Sequence, residues 1–386
     1  MYGGEIMLIP TSDFIGLEGL THLCAGGETP MLKSHANAVN RFMGDKVWGE
    51  ESRERFESTS QQCKSKIGQL LHVDAEEIAL LAHSSEGVNL LAHALPWKSG
   101  DNIIVADVEF PSDVLPWKRL EKIGVEVRIV KNRNWSINLE DIDAAMDEHT
   151  RLVAISHVSY FTGQRLSLSE LADLVHSKGA LLHVDATHAA GVVPVEAYHA
   201  DTLVSSCYKW LLGVHGAGIF YWNRASLPDL EPPFLGWHTP LSIPEWNEPG
   251  AYTPRPDAGR FEPGNEGFIS VYILDNALGR LLEIGIPSIE KYVLGLSSQV
   301  WEGLNDLGWE MMTPRESEHS AGNVCFMAEN IKQVTDALEE KGIYIWGSYG
   351  GVGRARVSTH LYNSEDDVAK FLNAMKEIPV THAQPA

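Results

Sequence analysis

The chain has 386 residues, more than a single hydrophobic core usually supports, so its length indicates a large domain and a smaller one. Acidic residues outnumber basic residues by 52 to 30, and the net charge of −22 argues against a protein that binds nucleic acid or an anionic membrane. The 4 cysteines show no CxxC pair and no Cys/His ligand spacing, so neither a disulfide framework nor a zinc site is indicated. No run of about 18 apolar residues is present to span a bilayer. We expect a cytoplasmic protein without a metal.

Strand-like and helical patterns alternate along the chain. The apolar runs are EIALLA, NIIVADV, VEVRIV, RLVAISHV, ALLHVDA and AGIFYW. The helical patterns among them cover residues 86–95, a segment near Trp117, and the stretches LEDIDAAMDEH and SLSELADLVHSKG. Strands and helices that repeat in turn predict an α/β fold with a mainly parallel sheet sandwiched by helices.

The loops that follow these strands are the expected ligand site, since ligands of parallel sheets bind beyond the carboxyl ends of the strands. These loops read HSSEG, EFPSD, SHVSYFTG and DATH. A break in composition at residues 227–267, rich in Pro, Gly and Trp, predicts a long excursion at the active site or at an interface.

Two long helical stretches follow the excursion, SVYILDNALGRLLEIG and SIEKYVLGLSSQVWEGLNDLG, and we expect them to bridge two domains. The strand-like NVCFMAE, IYIWGS and RARVSTH then alternate with helices, which is typical of a small α+β domain. We therefore predict an N-terminal arm at 1–25, a large domain at 26–285, and a small domain at 286–386 that includes part of the N-terminal segment.

Asp185 ends one apolar strand, and Lys209 lies before another, in SSCYKWLLGVHGAG. A lysine amine can form a Schiff base with an aldehyde cofactor, and a carboxylate at a strand end can keep a pyridine nitrogen protonated. An Asp in this place can also cap a helix, and a Lys near a glycine-rich turn is often solvated. The apolar, glycine-rich segment after Lys209 favours a buried site, and the two residues together predict a pyridoxal phosphate enzyme.

These motifs, in this order and spacing, resemble those of fold-type I pyridoxal phosphate enzymes of the aminotransferase class V group. Cysteine desulfurases, kynureninases and isopenicillin N epimerase-like proteins belong to that group. The resemblance extends from about Gly26 to the C-terminal helix. It implies a large domain that binds pyridoxal 5′-phosphate, an α-amino acid as the substrate, and a homodimer whose interface forms the site.

The resemblance also implies roles for the residues around the cofactor ring. Lys209 is similar to the lysine that binds the cofactor aldehyde, and Asp185 to the carboxylate that pairs with the pyridine nitrogen. His188 stands where the family has Gln or His, within reach of the phenolate oxygen, although a structural histidine is the alternative. Phe110, in EFPSD, aligns with the residue that stacks on the ring, and the alternative is a core aromatic.

For the cofactor phosphate, the resemblance implies hydroxyl groups at a helix start. Ser84 and Ser85 of HSSEG take this place, where backbone amides and the helix dipole favour an anion, and the alternative is that they cap the helix. Ser206 and Tyr208 resemble the phosphate contacts just ahead of the lysine. Asn265, in FEPGNEG, is expected to complete this cup from the partner subunit.

Arg356, in RARVSTHLYN, matches the family's arginine that holds the substrate α-carboxylate through two parallel hydrogen bonds. Arg354, two residues earlier on the same face of a strand, is the alternative. Upstream, IYIWGSYGGVGRAR contains no cysteine, whereas desulfurases place a nucleophilic cysteine there. We therefore expect transamination or epimerisation, with Lys209 as proton carrier. A β-lyase is the alternative, and a non-catalytic protein that binds the cofactor is the third reading.

Overall fold

The computed structural model describes residues 7–242, 252–347 and 353–380. Strand β1 (Thr21–Leu23) belongs to a small sheet, and seven strands form a larger one. The strands of the larger sheet are β2 (Ile78–Leu81), β3 (Asn102–Ala106), β4 (Glu126–Val130), β5 (Thr150–Ser156), β6 (Leu181–Asp185), β7 (Thr202–Ser206) and β8 (Gly218–Trp222). Their order is β2-β8-β7-β6-β5-β3-β4; β8 pairs antiparallel with β2 and β7, and the other pairs of neighbours are parallel. The predicted α/β fold with a mainly parallel sheet is confirmed.

Helices cover both faces of the larger sheet. Along β5, Leu152 and Ala154 belong to one apolar cluster, whereas Val153 and Ile155 belong to another, because successive side chains point to opposite faces. The helices are α1 (His35–Asp45), α2 (Glu51–Leu71), α3 (Ser84–Ala94), α4 (Leu115–Leu120), α5 (Leu139–Ala145), α6 (Leu168–Ser177), α7 (Phe268–Ile284), α8 (Ile286–Asp306), α9 (Ile331–Glu339) and α10 (Glu365–Met375). Helices α3 and α4 pack on one face, and α6 packs on the other.

Strand β7 and the start of helix α3 differ from the sequence prediction. Strand β7 was not predicted, because DTLVSS is short and half polar, yet all of its residues are buried between β6 and β8. Helix α3 begins at Ser84 instead of residue 86, since the His83 ring accepts a hydrogen bond from the backbone N–H of Glu86 and caps the helix. Tertiary burial in the first case and a histidine cap in the second are weak signals in a sequence.

A second sheet of four strands is formed mostly by the C-terminal part of the chain. Its strands are β1, β9 (Asn323–Met327), β10 (Ile343–Gly347) and β11 (Arg354–Ser358), in the order β1-β10-β11-β9. Helices α8 and α10 share an apolar cluster with this sheet. The N-terminal β1 pairs with β10, so the small sheet draws on both ends of the chain, and the exact domain boundaries stay a prediction.

The strand order predicts a ligand site at the carboxyl ends of the central strands of the larger sheet. β3 has β4 on one side and β5 on the other, so the chain reverses its direction of winding there, which is where open α/β sheets bind ligands. None of the helices in the described ranges is long and apolar enough to cross a membrane. The predicted excursion is described up to residue 242 and again from residue 252, and residues 243–251 lie outside the described part.

Candidate active site

A cavity of about 200 Å³ lies at the carboxyl ends of the central parallel strands. It brings together eight residues that the sequence predicted for the site, namely Ser84, Ser85, Phe110, Asp185, His188, Ser206, Tyr208 and Lys209. The remaining lining residues are His83, Ser156, Tyr160, Thr187 and His215. The lining residues extend from His83 to His215 in sequence, and the parallel sheet brings the ends of their strands together.

Lys209 follows β7 and points its amine into the cavity. Its Nζ lies 3.2 Å from Nε2 of His188. Burial, followed by the positive charge of Arg356, lowers the pKa of Lys209 to about 8. The negative charge of Asp185 opposes this shift but is the smaller effect. The hydroxyl of Thr29 donates to the backbone carbonyls of Tyr208 and Lys209, which fixes the backbone below the amine. Lys209 is therefore held in place, and its amine gives up a proton more readily than that of an ordinary lysine.

Asp185 is the last residue of β6 and is buried. Its Oδ1 accepts a hydrogen bond from the backbone N–H of Thr187 at 2.7 Å. The hydroxyl of Thr187 in turn accepts from the N–H of Ser206 at 3.0 Å, so the ends of β6 and β7 are tied together. Asp185 thus brings a carboxylate to the floor of the cavity, as expected of a partner for a pyridine nitrogen.

His188 lies on the turn after β6 and contacts Lys209 through Nε2. Burial, followed by the positive charges of Lys209 and Arg356, holds the pKa of His188 well below its usual range. The ring is therefore neutral and carries a single proton. A neutral ring can donate a hydrogen bond to an anionic oxygen without adding a buried charge.

A group of hydroxyls lies at the N-terminus of α3. Ser84 Oγ is 2.9 Å from Ser206 Oγ, and Ser85 Oγ donates to Ser112 Oγ at 2.7 Å. Because His83 caps α3, the two serines are not caps, and their hydroxyls lie beside the exposed backbone amides of the first turn. Gly218 permits this arrangement, since a Cβ there would lie 2.6 Å from the backbone of His83. Hydroxyls and amides at a helix start are suited to a phosphate group.

Phe110 forms one wall of the cavity. Lys209 Nζ lies over its ring, 5.7 Å from the centroid, and Tyr160 meets it edge-on at 5.1 Å. Phe110 is therefore not an ordinary core aromatic. Its face is presented to the space beside the lysine, where the sequence expected a stacked cofactor ring.

Arg354 and Arg356 project from β11 and are buried. Neither lines the cavity, although the charge of Arg356 acts on Lys209. Arg356 donates from Nη1 to the Tyr160 carbonyl at 3.0 Å, while Arg354 donates to the carbonyls of Tyr160 and Phe161. Within the described residues, Nε of Arg356 has no hydrogen-bond partner, and neither do Nε and Nη2 of Arg354. Residues 348–352, which precede these arginines, lie outside the described part.

Asn265 is not brought to the cavity of its own subunit. It is exposed, and its Oδ1 accepts a hydrogen bond from Arg53 at 2.7 Å. The predicted contact of Asn265 with the cofactor of a partner subunit is not tested by a single chain.

Two acidic residues at the site were missed by the sequence prediction. Asp113 is buried against Asp185, and burial together with the negative charge of Asp185 raises the pKa of Asp113 well above its usual range. Burial also raises the pKa of Glu109 to about 7, and Glu109 accepts hydrogen bonds from the backbone N–H and the hydroxyl of Ser156. Both residues lie in EFPSD, one of the loops that the sequence predicted for the ligand site. The presence of acidic residues near Phe110 in this loop was the signal that could have identified them.

A protein-family model described as Aminotransferase class-V matches residues 32–371. The chain belongs to this family. Among relatives, the cysteine desulfurase of Escherichia coli O9:H4 (strain HS) is 27% identical over 349 residues, which cover 85% of this chain and 83% of that protein.

Two solved structures share the fold of this class V enzyme. A cysteine desulfurase from Thermococcus onnurineus NA1 has a TM-score of 0.86 at 24% identity, with 95% of this chain and 96% of that chain covered. The cystine C–S lyase C-DES, solved with its product cysteine persulfide, has a TM-score of 0.86 at 21% identity, with 94% and 99% covered. At these identities the likeness concerns the fold.

The family depends on pyridoxal 5′-phosphate, and this is the cofactor of the class V enzyme described here. The cavity fits it, since Lys209 offers an amine for the aldehyde, Asp185 a carboxylate for the pyridine nitrogen, and the N-terminus of α3 a place for the phosphate. When bound, the cofactor supplies an electron sink for negative charge that develops at Cα of an amino acid.

Proposed function

We propose that this enzyme acts at the amino group and Cα of an α-amino acid and that its reaction is transamination. One observation carries the proposal: the buried amine of Lys209, with a pKa of about 8, faces the same cavity as Asp185 and His188. A base whose pKa lies near the working pH transfers protons efficiently in both directions. Lys209 is therefore suited to take a proton from Cα and to return it elsewhere.

The substrate carboxylate is assigned to Arg356. Its guanidinium is buried, its Nε is without a hydrogen-bond partner within the described residues, and its charge acts on Lys209. A carboxylate bound there would neutralise a buried positive charge, which is worth more than the same contact in water. Arg356 would then hold the α-carbon within reach of the Lys209 amine.

Epimerisation is a related outcome that Phe110 disfavours. A two-base epimerase needs an acid or base on each side of the α-carbon. Phe110 lies across from the Lys209 amine and its ring has no proton to transfer. Return of the proton by Lys209 alone supports transamination.

A cysteine-based desulfurase is disfavoured by the state of the thiols. Cys24, Cys63, Cys207 and Cys325 are all buried. Burial raises the pKa of Cys24 to about 12 and raises the pKa of Cys325 as well, so neither is ready to act as a thiolate. A β-lyase that needs no thiol is the second candidate, because the solved cystine C–S lyase shares this fold.

The test is a rapid-mixing absorbance record of the holoenzyme against a panel of amino acids, without added keto acid, with products identified. Conversion of the cofactor to its amine form, with one equivalent of keto acid released, is the expected result. Repeated turnover with release of ammonia and a keto acid would instead establish the lyase, and accumulation of the opposite stereoisomer an epimerase.

Arg356→Gln tests the carboxylate assignment. Loss of a charged hydrogen bond to substrate costs about 1.5–3 kcal/mol, so we expect KM to rise roughly 10- to 100-fold. Arg151→Gln, at a half-exposed site on β5 away from the cavity, is the matched control and should leave KM unchanged. An unchanged KM in Arg356→Gln would move the role to Arg354.

A homodimer is part of the proposal, supported by the exposed position of Asn265 outside its own cavity. We expect Asn265→Ala to weaken cofactor binding. Mixing Lys209→Ala subunits with Asn265→Ala subunits should restore one complete site in each mixed dimer. Unchanged cofactor affinity in Asn265→Ala would exclude a contribution of this residue across the interface.

A further inference from the structure

His188 lies between the larger sheet and the smaller sheet, and both of its ring nitrogens are in contact with polar groups. Its Nε2 lies 3.2 Å from Lys209 Nζ. On the other side of the ring, Trp210 Nε1 donates to Nδ1 at 3.3 Å, and Asn323 Nδ2 lies 3.0 Å from the same atom. His188, Trp210 and Asn323 are buried, so these groups are paired with one another instead of with water.

The indole of Trp210 indicates where the proton of His188 resides. An indole N–H is a donor only, so the Nδ1 atom that receives it must be an acceptor without a proton. Since burial keeps the ring neutral, its one proton is on Nε2. The same reasoning orients Asn323, which must present its NH₂ group, and not its oxygen, to Nδ1.

Ser358 holds the Asn323 amide in that orientation. Its hydroxyl donates to Asn323 Oδ1 at 2.8 Å, and the two residues are opposite each other on β11 and β9. Gly26 closes this pair from the other side, because a Cβ there would lie 2.6 Å from Asn323 Oδ1 and 2.7 Å from Ser358 Oγ. The amide has no room to rotate without losing its partners on both sides.

We propose that Asn323 and Ser358 are positioning residues that hold His188 in the tautomer with its proton on Nε2. The imidazole then presents a neutral N–H to Lys209 and to the place where the cofactor's phenolate oxygen is expected. This role rests on the proposed function of Lys209 and His188. It adds to the site two residues that do not line the cavity.

The strand that holds Ser358 also holds Arg356, the residue proposed to bind the substrate carboxylate. Arg356 and Ser358 lie two residues apart on β11, so their side chains share a face of the smaller sheet. In the register of that sheet, Arg356 is opposite Cys325 and Ser358 is opposite Asn323. One short strand therefore presents the carboxylate-binding group and orients the histidine beside the catalytic lysine.

The test measures the tautomer directly, by ¹⁵N NMR of histidine-labelled full-length protein with and without cofactor, and His188→Asn identifies the signal. In the native chain we expect a protonated Nε2 and an acceptor Nδ1. Asn323→Asp is isosteric but replaces the donor by an acceptor, so the proton should move to Nδ1. Asn323→Leu leaves only the longer bond from Trp210, at 3.3 Å, so a minor population with the proton on Nδ1 should appear beside the native tautomer.

The second readout is the pH midpoint at which the visible absorbance of the bound cofactor changes. It should shift in Asn323→Asp and Asn323→Leu, and kcat should fall on the order of 10-fold with little change in KM. Thr202→Val is the matched control, since it removes the hydroxyl partner of another buried histidine, His183, at 2.8 Å. That control should leave both readouts unchanged.

An unchanged His188 tautomer in Asn323→Asp would overturn the proposal. So would a shift of equal size in Thr202→Val, because it would reveal a general response to lost core hydrogen bonds. The NMR result is read without any substrate, so it stands apart from the proposed transamination. A confirmed tautomer with a different reaction would keep the positioning role and reject the reaction.

Discussion

Lys64 and Lys209 are two lysines whose amines are surrounded by protein, and they differ in what faces the amine. Lys64, in the middle of α2, lies 2.7 Å from the buried carboxylate of Glu262, and the pKa of Lys64 is raised by that partner although burial opposes it. Lys209 faces the neutral ring of His188 across a cavity, and burial together with the charge of Arg356 lowers its pKa to about 8.

The difference separates a structural charge from a reactive amine. A buried ammonium matched by a carboxylate stays charged and fixes two elements of the fold, here α2 and the segment after residue 258. A buried amine without such a match can lose its proton at physiological pH and becomes a nucleophile and a base. Burial alone therefore does not indicate function, whereas burial without a carboxylate partner does.

The largest effect is expected for the reactive amine. Lys209→Ala should reduce turnover by roughly three orders of magnitude or more, and the absorbance of a covalently bound aldehyde should disappear. Steady-state rates and the absorbance spectrum measure both. Retention of either property would show that another amine serves the cofactor and would remove the contrast with Lys64.

Lys64→Met is expected to have its main effect on stability. It would leave Glu262 charged, buried and unpaired, which costs about 3–5 kcal/mol of the free energy of unfolding. Chemical denaturation measures the loss, and turnover per folded molecule should be unchanged. The double variant Lys64→Met with Glu262→Gln should recover part of the stability, because the amide oxygen can still accept from the N–H of Leu80. Equal stability of the single variant and the native chain would contradict the structural role.

A smaller effect on stability is expected at Asp113, a buried acid beside Asp185. Its pKa is raised in the folded chain, while the unfolded chain ionises it near pH 3.9. The stabilisation that Asp113 contributes is therefore fully present below about pH 4 and is lost as the pH rises toward its folded-state pKa. Asp113→Asn removes this decline, so its stability advantage over the native chain should grow by about 1 kcal/mol or more between pH 4 and 7. Denaturation series at both pH values measure the difference, and parallel curves would show that Asp113 is ionised in the fold.

The smallest effect is a shift in the reactivity of Lys209 with pH. Cofactor-free protein should react with added pyridoxal phosphate at a rate that rises through a midpoint of about 8, because the neutral amine is the reactive form. Arg356→Gln removes a positive charge that favours this form, so the midpoint should move upward. Stopped-flow absorbance from pH 6 to 10 measures it. A midpoint near the ordinary lysine value of about 10.4 would make Lys209 resemble Lys64.

Much of the fold was visible in the sequence because the signals are local. Apolar runs with turn residues after them predicted most strands of the larger sheet, and the loops that follow them supplied eight residues of the cavity. Strand β7 was missed because its polar residues are buried by neighbours that are remote in sequence. Asp113 was missed because an acidic residue in a loop is usually solvated. Its burial against Asp185, at the end of β6, follows only from the packing of the sheet.

The sequence by itself determined the class of the fold, the lysine and the aspartate of the site, and the family's cofactor, since each depends on residues close together along the chain. The tertiary structure alone decided that Lys209 faces a neutral His188, that Lys64 faces Glu262, and that Asn323 and Ser358 reach the site from a separate sheet. The physical reason is that protonation states depend on burial and on charges a few ångströms away, and both are set by the packing of segments far apart in sequence.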